Sequence, residues 1–86
     1  MRAAFENVKR IRESKGISKT FIAKKLGITV QGYSNIEYGV TSLTSERLRS
    51  ISFILGEEVK IFFDDELTDL VIKNYNELCS KRVSSR

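Results

Sequence analysis

Apolar residues recur at helical spacing in four successive stretches of this chain, and a glycine follows each one. From about Ala3 to Lys15, Phe5, Val8, Ile11 and Ser14 share a stripe while Lys9, Arg10 and Glu13 point away from it, the pattern of an amphipathic helix. A second helix is predicted from the N-cap Ser18 to Leu26, with Phe21, Ile22 and Leu26 inward. A third is capped by Thr29 and runs to about Tyr38, with Tyr33 and Ile36 inward. A fourth begins after Thr44 and spaces Leu48, Ile51, Ser52 and Leu55 along one face. Gly16, Gly27, Gly39 and Gly56 stand where these helices should stop, because glycine accepts the left-handed conformation that closes a helix. The chain has no proline, so the glycines are its main breakers.

The pattern changes after Gly56. Val59, Ile61 and Phe63 alternate in a run dominated by β-branched and aromatic residues, which predicts a short strand. A lone strand needs a partner, so the expectation is pairing with a second copy or packing as an irregular turn. A last helix follows from Asp64 or Asp65 to about Lys81. Leu67, Leu70, Val71, Asn74 and Leu78 form its apolar face, and Ile72, Tyr75 and Cys79 widen that face. Acidic residues at its start and Lys81-Arg82 at its end suit the helix dipole. The tail from Val83 is expected to fray. The expected architecture is mainly α: a compact bundle of four to five helices, a short C-terminal strand and a final helix.

Eighty-six residues make one small unit whose stability is marginal unless another surface adds to its core. Charge is more informative by position than in total. Residues 1–25 carry eight Lys or Arg against Glu6 and Glu13, residues 26–45 carry only Glu37, and the remainder is close to balanced. A polyanion would therefore be drawn to the N-terminal quarter, although a basic helix can equally be a solvated face. No apolar run approaches the roughly 20 residues that span a bilayer, so no membrane association is expected. Met1 to Glu6 lack the apolar core of a secretory signal, and the single Cys79 cannot form an internal disulfide. Both fit a cytoplasmic location. Enzyme chemistry has little to work with: there is no histidine, too few thiols for a zinc cluster and no glycine-rich phosphate loop. No cofactor and no metal are expected. Asp64-Asp65-Glu66 reads as an acidic helix start.

The second and third helices meet the demands of a helix-turn-helix. Ala23 is small where the helices would cross, Gly27 makes the turn, and Ile22, Ile28, Tyr33 and Ile36 fill the wedge. Over Val8 to Phe63 the chain resembles the phage repressor and Cro-like helix-turn-helix regulators (the Xre group). The resemblance rests on Ile11-Arg12-Glu13 with Lys15-Gly16-Ile17-Ser18, and on Ala23-Lys24-Lys25-Leu26-Gly27-Ile28-Thr29. It continues through Ser34-Asn35-Ile36-Glu37-Tyr38-Gly39 and Leu48 to Leu55-Gly56. It implies a bacterial or phage-encoded type of protein that binds double-stranded operator DNA, usually as a dimer, with Thr29 to Tyr38 as the recognition helix.

Carried over by position, Val30, Gln31, Ser34 and Asn35 would face the bases. Gln31 and Asn35 can each pair bidentately with adenine, worth about 1–3 kcal/mol of discrimination, and Val30 can meet a thymine methyl. Ser18, Lys19, Thr20, Thr29 and Thr41 are the expected phosphate contacts, the first three at a helix start whose amides favour an anion. Arg12 and Glu37 occupy positions that pair across helices in the family, and an ion pair orienting the recognition helix is expected. Gly32 inside that helix costs about 0.5–1 kcal/mol relative to alanine; close approach of DNA and tolerance at an exposed site explain it equally well. The chain also departs from its relatives. The loop Gly39 to Thr44 carries no base, Leu43 replaces a frequent proline, Tyr33 is bulkier than usual, Tyr38 stands at a polar or basic position, and Lys19 stands where glutamine is usual.

Residues 1–63 are thus expected to form the DNA-binding domain, and 64–86 the C-terminal helix and tail that dimerise, or alternatively complete the monomer core. The rival function is an antitoxin-like module on the same fold that binds an unidentified protein partner and touches DNA secondarily or not at all. A nonspecific binder fits less well, because the expected reading face is uncharged.

Overall fold

The computed structural model describes residues 1–84, with side chains as far as Leu78. Six helices follow one another: α1 (Ala4–Ser14), α2 (Lys19–Leu26), α3 (Val30–Glu37), α4 (Ser45–Leu55), α5 (Val59–Phe62) and α6 (Asp65–Ser84). Side-chain hydroxyls start three of them. Ser18, Thr29 and Thr44 accept from the backbone N–H of Phe21, Gly32 and Arg47, satisfying amides that a helix start leaves open. At α1 the Glu6 carboxylate instead accepts from the Ala3 N–H at 3.0 Å. All four glycines predicted to close a helix have positive φ.

One core joins these elements. Val8 and Ile11 of α1, Ile22 and Ala23 of α2, Tyr33 of α3, Leu48, Ile51 and Leu55 of α4, and Phe62 of α5 form a single buried cluster. Gly39 is required on two counts. Its φ is +77°, and a Cβ there would come within 2.6 Å of the Phe5 ring. This close approach lets α1 pack beside the loop that leaves α3.

Three expectations need correction. Among the described residues there is no strand: Val59–Phe62 is a single helical turn. With no partner edge among the described residues, a strand would leave its backbone groups unpaired. The turn pairs them locally, Ile61 N–H to the Glu58 carbonyl at 3.1 Å and Phe63 N–H to that of Lys60 at 3.2 Å. Its packing follows: Phe62 is fully buried, while Phe63, which the alternation placed inward, is exposed. Phe21 is likewise exposed, because the short α2 turns Ile22, Ala23 and half-buried Leu26 toward the core.

The third correction concerns α6, which is rotated from the expected face. Thr68 is fully buried, Val71, Ile72 and Tyr75 are half-buried, and Leu70 and Leu78 are exposed. Polar bonds set this rotation. The Thr68 hydroxyl donates to the Ile61 carbonyl at 2.6 Å. Buried Asn7 of α1 donates from Nδ2 to the Phe62 carbonyl (2.9 Å) and to Asp65 Oδ1 (3.1 Å). Arg10 pairs with Asp69. A leucine-centred rotation would break the bonds that Thr68, Asp65 and Asp69 of α6 make to Ile61, Asn7 and Arg10. The Cys79 side chain, those of Lys81 and Arg82, and residues 85–86 of the tail lie outside the described residues.

Candidate nucleic-acid interface

The α2–turn–α3 unit is held from behind. Tyr33 is fully buried and Ile36 nearly so, and they seat α3 against the core. Glu37, the last residue of α3, has a fully buried side chain and meets Arg12 of α1 in a two-pronged ion pair. Arg12 Nε donates to Glu37 Oε2 at 2.6 Å and Nη2 to Oε1 at 3.2 Å. The third donor, Nη1, binds the Ile17 carbonyl at 2.8 Å. One guanidinium thus joins α1, the turn before α2 and the end of α3. Burial disfavours its charge, but the bonds and charge of Glu37 outweigh that cost and hold the Arg12 pKa above the usual arginine value. Burial first, and the Glu37 carboxylate second, push the neighbouring Tyr33 phenol far up, so it stays neutral. Its hydroxyl is buried and has no hydrogen-bond partner among the described residues.

On the opposite side of α3, Val30 and Gln31 are exposed and Ser34 and Asn35 half-buried. Val30 and Ser34, and Gln31 and Asn35, are each four residues apart, and the four share a face. Gln31 Nε2 donates to Asn35 Oδ1 at 3.0 Å, tying the two amides together along that face. Gly32 lies behind the helix start. A Cβ there would stand 3.1 Å from the Thr29 hydroxyl that caps α3, so part of the reason for glycine is local crowding at the cap.

The hydroxyls at the helix starts have two uses. Ser18 and Thr29 accept backbone N–H bonds through their oxygens, which leaves each O–H proton available to an anion. Thr20 is exposed. Thr41 is exposed in a loop folded back on α3, where the Val40 and Thr41 N–H groups both donate to the Asn35 carbonyl at 2.9 and 3.1 Å. Lys19, the first residue of α2, extends over Tyr38. Its Nζ lies 4.8 Å from the ring centroid and 3.2 Å from the phenol oxygen. From α1, Lys9 Nζ reaches the same ring at 5.3 Å. The sequence marks Lys9 as facing away from the core and Tyr38 as an unusual residue at its position, but they stand 29 positions apart and no local pattern links them.

Among the described residues no helix is long and apolar enough to cross a membrane. A helix-turn-helix family model, HTH_3, matches residues 8–61. The chain is also similar to an uncharacterized HTH-type transcriptional regulator, y4wC, of Sinorhizobium fredii (strain NBRC 101917 / NGR234). The two are 31% identical over 65 residues, covering 76% of this chain and 46% of the relative, so the chain spans about half of that protein's length. No solved structure matches.

Proposed function

This chain belongs to the helix-turn-helix family of repressor- and Cro-like DNA-binding regulators, and from that premise we propose that it is a sequence-specific repressor reading the major groove with α3. The observation that carries this reading is the division of α3 into two sides. Tyr33, Ile36 and Glu37 are buried, whereas Val30, Gln31, Ser34 and Asn35 keep exposed surface on the other side. These four side chains are uncharged and of the types that read base edges: amides for adenine, a hydroxyl for either partner, and a methyl-bearing chain for thymine. Ser18, Lys19, Thr20, Thr29 and Thr41 hold the backbone on either side, and the Arg12–Glu37 pair fixes the angle at which α3 is presented.

The Gln31–Asn35 bond bears on how such a surface reads. The bond is solvent-exposed, so breaking it exchanges one hydrogen bond for others at small net cost. In the free protein it holds both amides in one orientation, so less side-chain entropy is lost on binding. Replacing either residue with alanine frees the other as well, and the two losses of affinity should not add.

Exposed apolar surface in the C-terminal part supports operator binding as a dimer. Phe63, Leu70 and Leu78 leave apolar surface exposed along α5–α6, and a second copy can cover it. Because Phe62 is a core residue and Asn7 depends on its carbonyl, removing everything after Gly56 would damage the monomer itself. Leu70→Glu is the cleaner perturbation.

Selection of bound duplexes from a random pool tests the reading. The expected outcome is a near-palindromic motif with half-sites about one helical turn apart and A·T pairs opposite Gln31 and Asn35. Gln31→Ala should relax that preference by about 1–3 kcal/mol. Enrichment of no motif by the folded chain would refute it.

A further inference from the structure

We propose that Lys9, Lys19 and the ring of Tyr38 together form a docking site for backbone phosphate oxygens of the DNA strand that passes the C-terminal end of α3. The proposal rests on the DNA-binding reading above and adds a surface on α1 that the helix-turn-helix alone does not supply.

The starting observation is a convergence of charge. Two ammonium groups, one from α1 and one from the first residue of α2, lie 5.3 and 4.8 Å from the centroid of a single exposed ring. Among the described residues neither lysine forms an ion pair, although Arg10, Arg12, Lys15 and Lys60 all do. The ring holds both cations through its negative face, and the Lys19–phenol hydrogen bond fixes one of them further. The result is two positive charges held in place with no carboxylate at ion-pair distance among the described residues, although Glu6 and Glu13 line the same surface cavity as Lys9 and Tyr38. Such a cluster fits an anion.

Position identifies the anion. Tyr38 is the C-cap of α3, eight residues from Val30, or about 12 Å along a helix at 1.5 Å per residue. The major groove is also about 12 Å wide. A helix with its N-terminal half on the bases therefore brings its C-terminal end to the flanking sugar-phosphate backbone. Lysine is a compact point charge with three rotatable donors, suited to phosphate oxygens. The cluster would therefore add affinity without adding sequence preference. It also accounts for the loop Gly39 to Thr44, which carries no base: the positive charge beside the end of α3 comes instead from α1 and α2, collected by Tyr38.

A purely structural use competes with this. The C-terminal end of a helix carries partial negative charge, and nearby lysines stabilise it. Salt dependence separates the two. Each lysine that neutralises a phosphate contributes about 0.9 to the slope of log affinity against log salt. Binding of the full chain to its selected duplex is measured by fluorescence anisotropy at several salt concentrations between about 50 and 200 mM. Lys9→Gln and Lys19→Gln should each reduce the slope by about 0.9, so each loses roughly 3.5-fold more affinity at the low-salt end than at the high-salt end. The selected motif should not change. Tyr38→Phe keeps the ring and should keep most of the affinity. Tyr38→Ala should weaken binding to every duplex alike. Lys73→Gln, an exposed lysine on α6, is the control and should leave the slope unchanged.

The proposal is overturned if Lys9→Gln leaves the slope at the wild-type value, or if it only lowers the urea midpoint as a helix-dipole role would. Absence of duplex binding by the wild-type chain would overturn the DNA reading and this site together. Motif-selective binding with an unchanged slope in the lysine variants would overturn this site alone.

Discussion

The Arg12–Glu37 pair gives the sharpest test of how α3 is held. Arg12→Met leaves a carboxylate with a fully buried side chain and no partner, and it also releases the Ile17 carbonyl. Breaking a buried pair by removing one member costs about 3–5 kcal/mol, whereas an exposed pair contributes only about 0–1 kcal/mol. A chain of this size has about 4–13 kcal/mol of total stability, so Arg12→Met should remove a large part of it. With a urea m value of about 1–3 kcal/mol/M, the midpoint should fall by at least about 1 M. Glu37→Leu should cost a similar amount by stranding the guanidinium. The double variant Arg12→Met/Glu37→Leu strands neither charge and should return to within about 2 kcal/mol of wild type, since apolar replacement of a buried pair is often neutral. That strong non-additivity is the signature of a buried pair, read by urea unfolding of all four proteins. The double variant also separates stability from orientation: once refolded, it should still bind duplex more weakly than wild type. A loss below about 1 kcal/mol for Arg12→Met, or single losses that simply add, would refute the reasoning.

Gly39→Ala should destabilise by more than the roughly 1–2 kcal/mol of left-handed strain, because the new methyl also meets the Phe5 ring; in thermal melts, Phe5→Leu should recover part of the loss. Tyr33→Phe removes a buried hydroxyl that has no partner among the described residues, so stability should hold or rise by up to about 1 kcal/mol, and a fall of more than that would show that the hydroxyl is bonded. The backbone N–H of Arg2 first, and Asn7 second, hold the Asp65 carboxylate below its ordinary pKa of 3.8. Its folded value lies below its unfolded one, so its contribution is present above the unfolded value and is lost as pH falls through the folded one. Asp65→Asn should therefore flatten the acid limb of stability against pH below about 4, and an unchanged limb would count against the contact.

How legible these features were depends on how far apart the cause and its effect lie. Helix ends are local events. A hydroxyl accepting from an amide three residues on, and a glycine at positive φ, can be read within one turn of chain, so Ser18, Thr29, Thr44, Gly27 and Gly56 marked their helices from sequence alone. The segment Val59 to Phe63 was too short for periodicity to separate two apolar patterns. What decided it was the lack of a partner edge among the described residues, together with a core position open to Phe62. The rotation of α6 depends on Asn7, 58 positions before Asp65, and an asparagine on an amphipathic helix gives no sign that it will be buried. Arg12 and Glu37 stand 25 positions apart, and only resemblance to a family brought them together. For the lysines over Tyr38, no signal short of the folded arrangement exists.

The ties between α1 and α6 have a consequence for how the chain folds as it leaves the ribosome. Asn7 emerges before its acceptors, the Phe62 carbonyl and Asp65, which follow more than fifty residues later. Translation at about 5–20 residues per second places several seconds between the two, while helices form within about a microsecond. The nascent α2 and α3 therefore have time to fold and meet before α1 can bury its asparagine with bonds satisfied. In that interval Arg12 can already pair with Glu37, while the bonds that bury Asn7 must wait for the end of α5.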